Sequence, residues 1–175
     1  MKTLKIILFT ACLMLVIGGY AQNDAAKTQE MEQQEAEKIA LKNLEEGQKF
    51  LAENKTKEGV LETPSGLQYK ILTKGNGPIA TAVDTVEVNY IGTLIDGTKF
   101  DSSYDKGRTA TFAVGRVIKG WTEGLQLVPE GSKVMLYIPS ELAYGNRQRG
   151  PVIQANSTLI FEIEVIKVKK FVEKE

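Results

Sequence analysis

Four segments of the chain alternate apolar and polar residues with a period of two. They cover residues 67–71, 86–90, 134–138 and 159–165. Because successive side chains of a strand point to opposite faces, this alternation predicts half-buried strands in an antiparallel sheet. The dipeptide Asp96-Gly97 predicts a tight turn between strands, and the Gly-Asn-Gly-Pro run at 75–78 predicts a looser one.

One short segment between the predicted strands has helical spacing instead. Its apolar residues are Val117, Ile118, Trp121 and Leu125. Glycines at 120 and 124 keep the backbone of this segment thin. A single short helix among several antiparallel strands predicts an α+β domain, with the helix packed on the concave face of the sheet.

The region before the strands predicts a separate helix. Residues 24–54 are rich in Glu, Lys, Gln and Ala and contain no proline, a composition that favours helix. A thin apolar stripe on this helix consists of Ala36, Ile39, Ala40, Leu44, Phe50 and Leu51. Gly47 lies within the stripe and costs about 1 kcal/mol relative to alanine in a helix. Two interpretations remain open: a solvated helix docked on the main domain, and a surface that pairs with a second subunit.

The first 21 residues have the pattern of a secretory signal peptide. Lys2 and Lys5 precede an apolar run at 6–17, and small residues follow up to Ala21. A retained anchor is the weaker interpretation, because a spanning helix needs roughly 20 apolar residues. Lipid attachment at Cys12 would leave the apolar residues after it unexplained.

Cleavage after Ala21 would leave a chain of two parts. The predicted organisation is a signal peptide at 1–21, an N-terminal helical segment at 22–58 and a main domain at 59–175. Such a leader predicts export to the periplasm or the cell exterior, with no membrane association after cleavage.

The residue types that the chain lacks exclude most catalytic chemistry. The sequence contains no histidine, and Cys12 is its only cysteine. These counts exclude Ser-His-Asp and Cys-His nucleophiles, histidine zinc sites and structural disulfides. Basic and acidic residues both total 22, so no basic excess points to nucleic acid. We therefore expect no metal, no cofactor and no nucleic-acid partner.

The motifs of the main domain resemble those of one family. They are Val86-Glu87-Val88-Asn89-Tyr90-Ile91-Gly92, Phe100-Asp101-Ser102-Ser103, Val117-Ile118-Lys119-Gly120-Trp121, Leu142-Ala143-Tyr144-Gly145 and Ser157-Thr158-Leu159-Ile160-Phe161-Glu162. In this order and at this spacing, the region from 61 to 168 resembles the FKBP family of peptidyl-prolyl cis/trans isomerases. The preceding segment, with Ser65-Gly66-Leu67-Gln68-Tyr69, is similar to secreted bacterial members of the macrophage infectivity potentiator kind.

The resemblance implies an antiparallel sheet wrapped around one short helix, with a proline-binding pocket between them. It implies catalytic positions at Tyr90, Phe100, Asp101, Ile118, Trp121, Tyr144 and Phe161, and substrate-binding positions at Val117, Ala110, Phe112, Val152 and Ile153. Trp121 would form the pocket floor. The Ile118 N–H would hold a substrate carbonyl, and the Tyr144 hydroxyl would offer a second hydrogen bond. Asp101 would lie at the rim, where a direct role and capping of the turn at Ser102-Ser103 both remain open.

Four positions depart from the common family pattern. Ala110 stands where many members carry phenylalanine, which predicts a wider pocket on that side. Lys106 stands where an arginine often pairs with the aspartate, and lysine cannot form a bidentate fork. Arg149 and Gln154 differ in the variable loop. These differences concern inhibitor affinity and substrate preference more than the basic activity.

The activity that the resemblance implies is isomerisation of X-Pro bonds during the folding of exported proteins. Rotation about a peptide bond has a barrier of about 18–20 kcal/mol, but no bond breaks and no proton needs to move. A dry aromatic pocket with a few hydrogen bonds can therefore catalyse this reaction without histidine.

The expected partners are proline-containing unfolded or nascent exported polypeptides and tacrolimus-like inhibitors, and the expected state is a monomer or weak dimer. The alternatives are a non-catalytic chaperone or binding module for proline-containing segments, and an N-terminal helix that serves as an oligomerisation arm.

Overall fold

The computed structural model describes the backbone of residues 2–173 and the side chains of residues 27–173. Its two α-helices are α1 (Lys2–Asn54) and α2 (Lys119–Gly124), and its two short 3₁₀ turns are Val114–Arg116 and Ser140–Leu142. Its strands are β1 (Leu61–Glu62), β2 (Gln68–Thr73), β3 (Thr85–Leu94), β4 (Lys99–Ser102), β5 (Ala110–Ala113), β6 (Lys133–Ile138) and β7 (Leu159–Lys169). The side chains of the predicted signal peptide, Cys12 among them, lie outside the described residues. Over the part of the chain with described side chains, no helix is long and apolar enough to cross a membrane.

All seven strands form one antiparallel sheet in the order β1-β2-β6-β7-β3-β4, with β5 also paired to β3. The period-two pattern predicted four of them, β2, β3, β6 and β7, but not the short strands β1, β4 and β5. Along β3, β6 and most of β7, buried residues alternate with more exposed ones, which explains the pattern. In β6, for example, Val134, Leu136 and Ile138 are fully buried while the residues between them are half-buried. The α+β prediction, an antiparallel sheet with one short helix against it, is confirmed.

The two glycines of α2 bring this helix close to the sheet. A Cβ atom added at Gly120 would lie 2.5 Å from Ile138 Cγ2, and one added at Gly124 would lie 2.6 Å from Leu136 Cδ1. Larger residues would push the helix outward, since packed side chains do not yield that far. The prediction that these glycines thin the helix backbone is therefore confirmed, and α2 lies directly over β6.

The predicted turn at Asp96-Gly97 connects β3 to β4. Gly97 has φ +87°, a left-handed conformation that glycine adopts without strain. The Gly97 N–H donates to Leu94 O at 3.0 Å, and the Thr98 N–H donates to Asp96 Oδ1 at 2.8 Å. This turn places Phe100 and Asp101 of β4 beside the centre of β3.

The long helix is divided between two compact units, Met1–Lys38 and Ile39–Glu175. The helix predicted over residues 24–54 is confirmed over that range, and the structure continues it back to Lys2. In the first unit residues 27–38 are exposed, including Ala36 of the predicted stripe. The second unit begins before residue 59, the predicted domain start, because the last part of α1 packs on the sheet.

Within the second unit, α1 contacts the loop before β7 and strand β2. Asn43 Nδ2 donates to Ala155 O at 2.9 Å, and the buried Asn54 Nδ2 donates to Gln68 Oε1 at 3.0 Å. Between them, a Cβ atom at Gly47 would lie 2.3 Å from Thr158 Oγ1. Gly47 therefore lies in close contact with Thr158, which explains why a glycine stands where alanine would favour the helix. The docked interpretation describes this part of α1.

Replacing Gly47 with alanine should destabilise the protein, although alanine favours helix by about 1 kcal/mol. The added methyl group would overlap Thr158, and overpacking of this kind costs about 1–3 kcal/mol. Urea unfolding followed by circular dichroism measures the change. The double variant G47A/T158A, which removes the opposing hydroxyl, should recover most of the loss. A higher urea midpoint for G47A alone would contradict the close contact.

A buried aspartate fixes the segment just after β7 against the loop before β3. Asp84 is 2% exposed and accepts hydrogen bonds from the Phe171 N–H at 2.8 Å, the Thr81 N–H and hydroxyl at 2.7 Å each, and Lys170 Nζ at 2.9 Å. These donors, the Phe171 N–H first among them, hold the pKa of Asp84 far below its ordinary value of 3.8.

Asp84→Asn should therefore lower the free energy of unfolding at neutral pH. A carboxyl whose pKa is depressed by folding stabilises the protein above its unfolded pKa, and this contribution is lost as the pH falls toward the folded value. The stability gap between wild type and D84N should thus be constant above about pH 5 and shrink below 3.8. Chemical unfolding across this range tests it. Asp105→Asn, at an exposed aspartate paired with Lys99, should have little effect at any pH.

Candidate functional site

A cavity of about 970 Å³ opens in the second unit. It is bounded by β3, β4, β5, β7, the first 3₁₀ turn, α2 and the loop after the second 3₁₀ turn. Its lining residues are Tyr90, Phe100, Asp101, Phe112, Arg116, Val117, Ile118, Trp121, Tyr144, Arg149, Gly150, Pro151, Val152, Ile153 and Phe161. Most of them are aromatic or aliphatic, a composition typical of small-ligand sites.

Trp121 forms the buried base of this cavity. It is 4% exposed and lies among three aromatic rings, Tyr90 at 5.3 Å, Phe112 at 5.4 Å and Phe161 at 5.1 Å between centroids. Each pair is edge-to-face, with interplanar angles of 86°, 84° and 84° respectively. This arrangement is the one that aromatic quadrupoles favour, and it holds the indole in one orientation. The indole Nε1 has no hydrogen-bond partner in the described part of the protein.

One glycine makes room for the aromatic wall above the base. Gly92 lies on β3 opposite Phe161 of β7 and Asp101 of β4. A Cβ atom at Gly92 would come within 2.6 Å of Phe100 and 2.8 Å of Phe161. Because this position has no side chain, the two rings approach each other over the strand, with centroids 5.4 Å apart. Gly92 therefore sets the shape of this wall.

Asp101 is held at the rim by three donors. The Tyr90 hydroxyl donates to Oδ2 at 2.6 Å, the Ser102 N–H donates to Oδ1 at 2.9 Å, and the Lys106 ammonium pairs with Oδ1. The Ser103 N–H, which an aspartate that caps a turn here would bind, donates instead to Tyr90 O at 3.0 Å. Lys106 binds Asp101 through one nitrogen, because a lysine lacks the guanidinium group with which arginine binds a carboxylate in bidentate fashion.

These contacts move the pKa values of both groups away from neutrality. Burial raises the pKa of Asp101, but the hydrogen bonds from Lys106 and Tyr90 outweigh it, so the pKa lies below its usual range. Burial, and then the hydrogen bond to Asp101, raise the pKa of Tyr90. At neutral pH the carboxylate is ionised and the phenol is neutral.

Besides the buried indole Nε1 and the side chains of Arg116 and Arg149, two further donors of the cavity lining are unused within the described residues. The Ile118 N–H precedes the first turn of α2, and its carbonyl accepts from the Trp121 and Thr122 N–H groups. The N–H itself donates to no described acceptor. The Tyr144 hydroxyl likewise forms no hydrogen bond with the described part of the chain. An apolar cavity with these free donors can orient a ligand that carries carbonyl groups.

The structure brings together all the predicted site residues except Ala110. This residue lies on β5 opposite Val88, two positions before Phe112 on the same face. It packs against the core but is not part of the cavity lining, because its side chain ends at Cβ. Gln154 also lies outside the lining, and its Nε2 donates to Pro151 O at 3.3 Å.

Sequence reasoning missed three lining residues and assigned no role to a fourth. Arg116, Gly150 and Pro151 were not predicted, and Arg149 was noted only as a departure from a family pattern. No periodicity marks them, since they lie on a 3₁₀ turn and in an irregular loop. Their positions in the sequence, next to the predicted site residues Val117 and Val152, could have indicated them. Over the residues with described side chains, no cluster of three metal-ligating groups is present.

Family models match two adjoining parts of the chain. Residues 77–166 match the model described as FKBP-type peptidyl-prolyl cis-trans isomerase. Residues 18–71 match the model of the domain amino terminal to that isomerase. The first match contains every lining residue of the cavity.

Curated proteins and solved structures are also similar to this chain. The FKBP-type peptidyl-prolyl cis-trans isomerase FkpA of Aeromonas hydrophila is 49% identical over 83% of this chain and 54% of its own length. The outer membrane protein MIP of Legionella longbeachae is 52% identical over 78% of this chain and 58% of its own length. This chain thus spans little more than half of each relative.

The crystal structure of FkpA from Escherichia coli superposes with a TM-score of 0.84 at 40% identity, over 87% of this chain and 71% of that chain. A peptidyl-prolyl cis-trans isomerase from Pseudomonas syringae gives a TM-score of 0.70 at 40% identity, over 75% of this chain and 96% of that chain. The family match over more than half of the residues, together with the shared fold, leads to one conclusion: the chain belongs to the FKBP-type peptidyl-prolyl cis-trans isomerase family.

Proposed function

We propose that the protein catalyses cis/trans isomerisation of X-Pro peptide bonds. The observation that carries this proposal is the aromatic cavity over Trp121, with the free Ile118 N–H and Tyr144 hydroxyl on its wall. A proline ring is apolar and compact, and it fits against the base formed by Trp121. The Ile118 N–H and the Tyr144 hydroxyl then orient the carbonyls on either side of it.

The reaction needs no group that gains or loses a proton. The barrier to rotation, about 18–20 kcal/mol, arises because resonance in the planar amide separates charge between O and N. This resonance is lost when the amide twists, so the twisted amide is less polar. Walls formed by Phe100, Phe112 and Phe161 exclude water and disfavour the more polar planar form. Asp101 acts as a positioning residue, because its oxygens already bind Tyr90, Lys106 and the Ser102 N–H.

We also propose that the enzyme works on unfolded or nascent exported polypeptides in the periplasm or outside the cell. The predicted leader at 1–21 supports export, and one relative is named an outer membrane protein. Within this proposal residues 59–175 form the catalytic domain, and residues 39–54 of α1 stabilise it. The proposed state remains a monomer or weak dimer, and tacrolimus-like inhibitors would occupy the same cavity.

Phe100→Ala should lower kcat/KM for a proline peptide by roughly tenfold or more. The truncation removes apolar contact of about 1.5–3 kcal/mol, and about 1.4 kcal/mol corresponds to tenfold. Phe50→Ala is the matched control: its ring is also half-buried but packs on Tyr137 at 6.0 Å, outside the cavity. Magnetisation-exchange NMR on the peptide measures both. Equal losses of activity in two folded variants would contradict a site at Phe100.

The activity should be nearly independent of pH between about 6 and 8.5. The pKa of Asp101 is lowered and that of Tyr90 is raised, so neither group changes its charge in this interval. Asp101→Asn should reduce kcat/KM only in part and leave the profile flat. A bell-shaped profile centred near neutrality in wild type, and abolished in D101N, would establish proton transfer and contradict this mechanism.

A further inference from the structure

Two arginines lie on the wall of an otherwise apolar cavity. Arg116 and Arg149 are both exposed residues of the lining, whereas Trp121 at the base is buried. Of the described residues that line the cavity, Asp101 is the only carboxylate, and it is paired with Lys106. The rim therefore carries a net positive charge.

Neither guanidinium is neutralised by the protein. No described carboxylate forms an ion pair with Arg116 or Arg149. The Arg149 guanidinium instead lies 6.0 Å from the centroid of the Tyr144 ring, whose hydroxyl is also a free donor. A guanidinium offers five N–H donors in a planar fork that matches a carboxylate. Both forks are available to a ligand.

The backbone under each arginine is fixed. The Arg149 N–H donates to Ile153 O at 2.8 Å and closes the loop on itself. Arg116 ends a 3₁₀ turn whose Val114 is fully buried, and the Thr122 hydroxyl donates to Val114 O at 2.7 Å. The two side chains thus start from defined points at the cavity rim.

We infer that Arg116 and Arg149 select polypeptide segments with an acidic residue flanking the X-Pro pair. Proline occupies the base, so the residues before X and after proline extend to the rim where the arginines lie. A carboxylate there gains one or two charge-assisted hydrogen bonds, and a lysine is repelled. This inference rests on the proposed function, and it names the substrate class of the same cavity.

The test uses blocked peptides of the form Z-Leu-Pro-Phe and Ala-Leu-Pro-Z, with Glu, Gln or Lys at Z. For wild type at low salt, kcat/KM should be about two- to fivefold higher for Glu than for Gln in at least one series, and lowest for Lys. The gain should lie in KM rather than kcat, because the ion pair is the same in ground and transition states. It should shrink at high ionic strength.

Variants assign the preference to the two side chains. In R116Q/R149Q the Glu-to-Gln ratio of kcat/KM should fall to about one. Arg147→Gln removes the same charge from the same loop outside the lining, and it should keep the wild-type ratio. A ratio of one in wild type, or an equal loss of preference in R147Q, would overturn the inference.

Peptide dissociation constants separate this inference from the proposed function. NMR titration gives them whether or not the peptide is turned over. If wild type binds all peptides but isomerises none, the proposed activity fails, and the Glu-to-Gln ratio of dissociation constants still decides the role of the arginines. If the Gln peptide is isomerised and Glu brings no gain in KM, the arginine selection fails while the activity stands.

Discussion

The packing of three aromatic rings around Trp121 is the interaction on which the site depends. Edge-to-face contacts at 5.1 to 5.4 Å fix the indole from three sides, and each ring comes from a different strand. Tyr90 on β3 and Phe161 on β7 are adjacent because these strands pair along their length. Tyr90, Trp121 and Phe161 thus belong to the buried core and to the cavity lining at once, so core packing fixes their positions.

Glycines determine how closely the helices and the aromatic side chains approach their neighbours. Gly120 and Gly124 let α2 lie on β6, which carries Trp121 down to the sheet. Gly92 lets Phe100 and Phe161 meet over β3, and Gly47 lets α1 dock at Thr158. At each point a single methyl group would overlap a neighbour. The site is therefore a consequence of backbone proximity as much as of the aromatic side chains.

Much of the fold could be predicted from the sequence, because a strand that is buried on one side alternates apolar and polar residues. Strands β2, β3, β6 and β7, helix α2 and the Asp96-Gly97 turn followed from local pattern alone, whereas β1, β4 and β5 are too short to show one. Most cavity residues were predicted from the order and spacing of the family motifs. Ala110 was predicted wrongly as a lining residue: its position on β5 is near the site, but its side chain does not reach the cavity lining. Arg116 left no pattern, since an exposed charge on a 3₁₀ turn satisfies no periodicity. Gly47 was counted as a cost to the helix, because only the fold brings Thr158 against it.

The central claim is that a proline ring binds against Trp121, and the fluorescence of this tryptophan tests it most directly. It is the only tryptophan in the chain, so its emission reports this position alone. Titration with a Leu-Pro peptide should change the emission saturably, and the same peptide with alanine in place of proline should have little effect. An unchanged spectrum, at peptide concentrations shown by NMR to saturate the protein, would place the proline elsewhere and contradict the account.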